Sequence, residues 1–176
     1  WIHHDCFRRT PRRGAYNVLD CRWVGKWKKV KSKDDPSKMV RTIRMRLTLR
    51  GFKDREADSL ETYAGTSDRL SQRLIVSEAV TRRWSLTALD IKKAFLKGVS
   101  YKELSEATSQ PERAVWFDLA PDAVEVLRQL PGYHDFDPSV ETLRMNRPGT
   151  GCKDAPRCWA MKLATATNDK FGAVPV

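Results

Sequence analysis

Residues 21–50, CRWVGKWKKVKSKDDPSKMVRTIRMRLTLR, contain the clearest structural pattern of the chain. From Arg41 to Arg50, apolar and polar side chains alternate, which is the period of a strand with one buried and one solvent-facing side. Cys21–Val30 predicts a second strand, and Lys31–Lys38, with Asp-Asp-Pro-Ser at its centre, predicts the turn between them. The sequence therefore predicts a basic antiparallel hairpin with a row of arginines on its wet side.

The positive charge of the chain is concentrated in and before this hairpin. The formal net charge is +11, and residues 1–55 hold 17 Lys and Arg against 5 Asp and Glu, whereas residues 56–176 hold 16 against 17. Such one-sided charge is typical of a surface that faces a polyanion, and arginines bind phosphate through forked, charge-assisted hydrogen bonds. A solvated basic face without a partner is the alternative. Residues 1–20 predict a basic N-terminal linker outside the core.

Downstream of the hairpin, the pattern predicts helices mixed with short strands. A helix begins at Ser67 or Asp68 and ends at Arg82-Arg83, and its apolar side is expected to pack on a sheet. The other predicted elements are helices over 101–108, 121–130 and 155–170 and strands over 84–89, 115–119 and 140–145. Asp154 is well placed to cap the last helix. The chain is long enough to bury a core of its own.

The segment LDIKKAFLKG, residues 89–98, points most directly to chemistry. The strand predicted over 84–89 would place Asp90 at its carboxyl end, and a carboxylate held there suits a hard cation. The alternative is that Asp90 caps the next turn or helix. His3-His4-Asp5-Cys6 lacks the paired ligand spacing of a zinc site.

Four patterns, in this order, resemble the reverse transcriptase domain of Ty1/copia-type LTR retrotransposon polyproteins. CRWVGKWKKV (21–30) is similar to the RWVFK-type opening strand of that family, and RMRLTLRGF (44–52), followed by ETY (61–63), is similar to KARLVARGF and ET[FY]. LDIKKAFLKG (89–98) resembles LDVKxAFLxG, and GCKDAPRCW (151–159) resembles GLKQAPRxW. The resemblance covers about residues 21–171.

The resemblance implies an α+β fold, the N-terminal portion of a right-hand polymerase, with helices packed on an antiparallel sheet. It divides the chain into three parts. The basic N-terminal linker (1–20) precedes a fingers-like basic hairpin and helix (21–83). A partial palm (84–176) then carries the first catalytic motif and the GCKDAPR helix.

The same resemblance implies RNA-directed DNA polymerisation by two-metal nucleotidyl transfer in the parent protein. Asp90 would be catalytic and would ligate Mg²⁺, while Phe95 would crowd the sugar 2′ position unless it simply packs in the core. Gly151 would flank the templating base pair, or would only form a helix-entry turn. The implied nucleotide-binding set comprises Ile91, Lys92, Lys93, Phe95, Arg44, Arg46, Arg50, Gly151 and Lys153. The implied partners are an RNA or DNA template-primer, a deoxynucleoside triphosphate and the remainder of the polyprotein.

One part of the family pattern is absent from the sequence. The Tyr-x-Asp-Asp motif that would supply the second and third carboxylates does not occur, and the adjacent pair Asp34-Asp35 lies in the hairpin turn. We therefore predict a reverse transcriptase fragment that is inactive as the isolated chain. The alternatives are a nucleic-acid-binding relic of a transposon that has lost catalysis and a purely structural basic domain.

The sequence also indicates in which cellular compartment the protein is expected. It contains no apolar run long enough to cross a membrane and no signal-peptide pattern. We therefore expect an intracellular protein, cytoplasmic or nuclear, with no membrane partner.

Overall fold

The computed structural model describes residues 1–172, which form a mixed α/β fold with one five-stranded sheet and four α-helices. The strands are β1 (Phe7–Pro11), β2 (Val18–Lys31), β3 (Met39–Leu49), β4 (Trp116–Asp118) and β5 (Glu141–Met145). The helices are α1 (Arg69–Thr81), α2 (Tyr101–Thr108), α3 (Pro121–Arg128) and α4 (Ala155–Phe171). The expected mixture of helices and strands is present, and the polymerase fold itself stays a prediction.

The sheet has the strand order β1-β5-β4-β2-β3. Three neighbouring pairs are antiparallel, but β2 and β4 pair in parallel through Val18–Asp20. The expectation of an antiparallel sheet is therefore wrong for this pair. The long connection between β2 and β4 makes the parallel pairing possible, since parallel neighbours need a crossover rather than a tight turn.

The core lies where the short strands meet α2 and α3. Leu19, Phe117 and Leu143 are fully buried on the sheet, and Tyr101 at the start of α2 packs beneath them. Ser100 fixes this start through a capping box: its hydroxyl accepts from the Glu103 amide at 3.1 Å, and the Glu103 carboxylate accepts from the Ser100 amide at 2.6 Å. The predicted bounds of α2 are confirmed.

Residues 1–20 belong to the folded body, so the prediction of an N-terminal linker is wrong. β1 pairs with β5 along its whole length, Cys6 and Phe7 are buried, and the Trp1 ring lies 5.7 Å from that of Phe117. Two of the four arginines in this segment are paired with carboxylates. Arg9 donates to Glu141 at 2.7 Å, and Arg12 donates to Asp118 at 2.7 Å. These carboxylates lie more than 100 residues away in sequence, so local composition could not reveal them.

Helix α1 forms as predicted but does not pack as predicted. Asp68 is its N-cap and accepts from the Ser71 amide at 2.7 Å. Its apolar side is exposed at Leu70 and Leu74, and within the helix only Ala79 is buried. The prediction that α1 covers a sheet is therefore wrong.

The strand predicted over 84–89 is also absent. Residues 84–90 are exposed and have no regular structure. A strand needs a neighbour to satisfy its backbone amides and carbonyls, and this segment pairs with neither edge strand, β1 or β3. The sheet also crosses the predicted domain boundary at residue 84, because β2, which precedes that boundary, pairs with β4, which follows it.

Helix α4 begins after Asp154 and is followed by Gly172 in the left-handed conformation, as expected from the sequence. The Asp154 side chain forms no capping hydrogen bond, so its predicted capping role is wrong; this carboxylate pairs with Arg113 instead. The spacing of Trp159, Leu163 and Ala166 predicts that these residues form the buried side of α4, and this prediction is wrong. Ala155 and Cys158 are buried, whereas Leu163 and Ala166 are exposed. The last four residues of the predicted partial palm, 173–176, lie outside the described residues. Within the described part of the chain, no helix is long and apolar enough to cross a membrane.

Candidate nucleic-acid interface

Beyond Asp20, β2 continues together with β3 as a two-stranded ribbon, comprising residues 21–31 and 39–49. This ribbon leaves the body of the sheet, because β2 pairs with β4 only over 18–20. At its tip, the backbone amide and the hydroxyl of Ser37 both donate to Asp35, at 3.0 and 2.6 Å. Asp35 therefore stabilises the turn, as the Asp-Asp-Pro-Ser pattern predicts.

One side of the ribbon is basic. The register places Lys26 opposite Arg44 and Val24 opposite Arg46, so alternate residues of both strands share this side. We define the basic face as Arg22, Lys26, Lys28, Arg44 and Arg46. Among residues 1–172, no member of the basic face has a carboxylate partner. The flanking cations that do have one, Lys38 in the turn and Arg50 after β3, lie outside the ribbon. The basic face is therefore free to meet an anion.

The opposite side of the ribbon is apolar from its base to its middle, with Lys29, Lys31 and Arg41 toward the tip, and it is largely uncovered. Trp23, Trp27, Ile43, Met45 and Leu47 share it. Leu47 is half-buried near the sheet, but Trp27 is 65% exposed and Met45 is 52% exposed. The expectation of a half-buried strand therefore holds only at the base of the ribbon.

The base of the ribbon contacts the loop that precedes α4. The Leu49 amide donates to the Thr150 carbonyl at 2.9 Å. A side chain at Gly51 would collide with the Gly151 carbonyl, and a side chain at Gly151, whose φ is +100°, would collide with the Leu49 carbonyl. Gly151 is thus required for a close backbone approach. The structure places Gly151 beside the ribbon. The sequence alone had left open the alternative that Gly151 only forms a turn at the start of a helix.

The three arginines that the sequence predicts on the wet side of the hairpin, Arg44, Arg46 and Arg50, have different surroundings. The Arg50 guanidinium pairs with Asp20 at 3.0 Å, and Lys53 reaches the same carboxylate at 3.2 Å. Arg44 and Arg46 are exposed on the basic face. Arg50 therefore anchors the base of the ribbon, while Arg44 and Arg46 are available to a ligand. Lys153, after Gly151, is also exposed.

The structure does not bring Asp90 to the end of a strand. Asp90 is exposed within the irregular segment, and Lys93, with φ of 57°, is the cap of the 3-10 turn Ala94–Lys97, so the alternative capping role for Asp90 is not seen either. Phe95 is 41% exposed, and Leu96 is the buried residue of this turn. Ile91 and Lys92 are exposed as well. Simple core packing therefore does not describe Phe95.

A magnesium site can be tested against the donors that are present. Residues 1–172 contain no group of three His, Cys, Asp or Glu side chains that could hold a metal ion. The residues of this chain therefore do not by themselves fit the ion that the sequence resemblance implies. That Asp90 contributes one ligand to such an ion stays a prediction.

Sequence reasoning missed a buried ion cluster around Arg113. This side chain is 8% exposed and pairs with Asp54, with Glu56 at 3.0 Å and with Asp154. The four residues come from three separate parts of the chain, so no local pattern could show the cluster. The one available signal was Asp154, which stands where the resembled family has glutamine.

The pKa values of the two buried acids move in opposite directions. Burial acts to raise the pKa of Asp54, but hydrogen bonds from Arg113 and Asn17 outweigh it and hold that pKa below its ordinary value. Burial dominates at Asp154 and raises its pKa, in keeping with the unpartnered Asp154 Oδ1. Arg113 thereby connects the start of α4 to the segment after β3, which holds the Gly151 loop against the base of the ribbon.

Comparisons with known proteins find sequence similarity to transposon polyproteins. The chain is 26% identical over 156 residues to the Retrovirus-related Pol polyprotein from transposon RE2 of Arabidopsis thaliana. It is 25% identical over 154 residues to the corresponding polyprotein from transposon RE1 of the same plant, and 30% identical over 146 residues to that from transposon TNT 1-94 of Nicotiana tabacum.

These alignments cover 88%, 87% and 82% of this chain but only 9% of each relative. No family model matches the chain, and no solved structure matches it. The homologues of this chain are retrovirus-related Pol polyproteins of transposons, at low identity, and it spans about a tenth of their length.

Proposed function

We propose that this chain is part of the reverse transcriptase domain of a copia-type transposon polyprotein, and that its ribbon binds the nucleic acid on which RNA-directed DNA synthesis takes place. The observation that carries the proposal is the basic face, five cations on one side of a projecting ribbon that have no carboxylate partner within residues 1–172. The four ordered motifs and the Pol polyprotein relatives support the same function.

The dimensions of the basic face suit a phosphate backbone. From Arg22 to Lys28 the strand advances by about 20 Å, at about 3.3 Å per residue. Residues 22–50 carry eleven Lys and Arg against two Asp. Such a dense row of cations attracts a polyanion and displaces its counterions, which is the main source of affinity in sequence-independent binding.

The Gly151 loop gives this surface a fixed neighbour. Because the Leu49–Thr150 hydrogen bond and the Gly51–Gly151 contact hold the loop at the base of the ribbon, exposed Lys153 is held in the same region of the chain. In the proposed function the ribbon binds phosphates and this loop lies toward the bases. The deoxynucleoside triphosphate and the remainder of the polyprotein are partners of the parent protein in the same proposal.

Salt-dependent binding tests the proposal directly. We expect the chain to bind a 20-nucleotide RNA with an affinity that falls steeply with salt, by about 0.7 logarithmic units per phosphate contact for each tenfold rise in salt. Fluorescence anisotropy from 50 to 300 mM potassium chloride would measure the slope. Absent binding, or binding insensitive to salt, would contradict the proposal.

The isolated chain is expected to lack polymerase activity, because Asp90 stands alone among the described residues. A primer-extension assay with magnesium and deoxynucleoside triphosphates checks this expectation. Template-dependent incorporation by the wild type that is abolished in Asp90→Ala would show that the chain is a complete polymerase.

The same isolation of Asp90 favours a second candidate, a nucleic-acid-binding relic that has lost catalysis. The two candidates share the ribbon and differ in the rest of the gene. An open reading frame downstream that encodes a Tyr-x-Asp-Asp box supports the polymerase, whereas a stop codon or frameshift before such a box supports the relic.

A further inference from the structure

The apolar side of the ribbon presents two indole rings to solvent. Trp23 and Trp27 are four residues apart on β2, so they point to the same side and lie about 13 Å apart along the strand. Trp27 is 65% exposed and Trp23 is 37% exposed. Among the described residues, neither ring has an aromatic partner or a cation over its face; the aromatic pairs all involve other rings.

Two apolar side chains of β3 lie between the two indoles. Gly25 is the one residue of β2 between them on this side, and it lies opposite Met45. A Cβ at Gly25 would come within 3.0 Å of the Met45 sulfur and 3.5 Å of an Ile43 methyl group, so these side chains lie over the glycine. The surface between the two indoles is therefore apolar and formed by Met45 and Ile43, and the exposed ring faces themselves are what a flat ring can contact.

The charge around the two indoles indicates which class of ligand they bind. Lys29, Lys31 and Arg41 are on the same side as the indoles, and the basic face is on the other side of the same two strands. A second copy of the chain would bring an equally positive ribbon and would be repelled. A polyanion that carries flat apolar rings complements both the charge and the indoles.

We infer that Trp23 and Trp27 are a stacking platform for the unpaired bases of a single-stranded nucleic acid, a role that rests on the proposed function and assigns a second side of the ribbon to it. Exposed aromatic rings beside cations are how proteins bind single strands without sequence preference. Stacked bases in one strand are about 3.4 Å apart, so indoles about 13 Å apart contact two bases that are not neighbours.

Two substitutions and one altered ligand test this inference on the full chain. We expect Trp27→Ala to weaken binding of a 20-nucleotide oligothymidylate by roughly 5- to 100-fold, the usual effect of removing one stacked ring. Trp27→Phe should restore most of the affinity. An abasic strand of the same length, which keeps the phosphates and lacks bases, should bind the wild type and Trp27→Ala equally.

Trp84→Ala is the matched control. Trp84 is also an exposed indole, at 57%, and Arg82 lies over its ring, but it is outside the ribbon. We expect this variant to bind like the wild type. Circular dichroism of both alanine variants checks that the fold is retained.

The outcomes separate the two proposals. If the wild type binds the abasic strand and oligothymidylate with equal affinity, or if Trp27→Ala has no effect on either, stacking is excluded while phosphate binding by the basic face stands. If the wild type binds neither strand, the proposed function itself fails. Equal losses for Trp27→Ala and Trp84→Ala would also exclude a specific platform on the ribbon.

Discussion

Arginine and lysine side chains have opposite surroundings in two regions of this molecule. In the body of the fold, Arg9, Arg12 and Arg113 are each bonded to one or more carboxylates. On the ribbon, Arg44 and Arg46 have no such partner among the described residues, although the ribbon is the most basic part of the chain. The first group holds segments together, and the second is free to bind.

This difference shows how to interpret the excess charge of residues 1–55. Two of the four arginines before residue 20, Arg9 and Arg12, are paired with carboxylates of the chain itself. Only cations without an internal partner raise the local potential that attracts a polyanion. The ribbon is thus the candidate interface, while Arg9 and Arg12 stabilise the fold.

Arg113→Ala should have the largest effect, and it acts on the fold. Removing this side chain leaves Asp54 and Asp154 buried without a counter-ion, which costs roughly 3–5 kcal/mol for a broken buried pair. Urea denaturation followed by circular dichroism would measure the free energy of unfolding. A loss below about 1 kcal/mol would show that water or a rearranged side chain replaces Arg113 in the cluster.

Changes to the basic face should act on binding and leave the fold intact. We expect the triple variant Lys26→Gln, Arg44→Gln and Arg46→Gln to bind RNA on the order of 100-fold more weakly at low salt and to reduce the salt slope by about 2. These side chains are exposed, so the free energy of unfolding should change little.

A second triple variant controls for net charge. Arg69, Arg73 and Arg83 are also exposed cations but lie on or beside α1. Replacing all three with glutamine removes the same charge outside the ribbon. If both triple variants lose affinity equally, binding follows net charge and the ribbon has no special role.

The features that sequence reasoning predicted correctly depend on neighbours in the chain. The ribbon follows from strict alternation over Arg41–Arg50 and from the turn chemistry around Asp35. The capped start of α1 at Asp68 and the end of α4 at Gly172 follow from local backbone requirements. Each of these signals is complete within about ten residues.

The features it predicted wrongly depend on distant partners. Residues 7–11 form an edge strand and not a tail because they pair with β5. Residues 84–89 form no strand because the described residues supply no neighbouring strand for them. The predicted buried side of α1 is wrong for the same kind of reason. Amphipathic spacing shows which side of a helix can pack, but it does not show which element that side packs against. The Asp90 motif could thus be recognised by resemblance while its surroundings could not.

Arg9→Gln tests the paired group at the sheet edge by its pH dependence. The hydrogen bond from Arg9 lowers the pKa of Glu141 below its ordinary value of 4.5, and the same guanidinium lowers that of Asp135. A lowered folded-state pKa stabilises the fold above the unfolded pKa, and this stabilisation is lost as the pH falls through the folded pKa.

The wild type should therefore be more stable than Arg9→Gln at pH 7, and the difference in melting temperature should shrink as the pH falls below 4.5. Thermal unfolding at a series of pH values would measure it. RNA affinity at pH 7 should not change, because Arg9 is not on the ribbon. A large loss of affinity in Arg9→Gln would break the distinction between paired and free cations.

Asp90→Asn should have the smallest effect of all. Asp90 is exposed and forms no ion pair among the described residues, so the substitution removes no contact that stabilises the fold. It also makes one exposed site outside the ribbon less negative, so RNA affinity should stay within about twofold of the wild type. Unfolding and anisotropy measurements on one preparation check both expectations. A clear loss of stability would mean that the carboxylate is bonded within the fold, and a clear change in affinity that depends on magnesium would mean that an ion joins Asp90 to the bound strand.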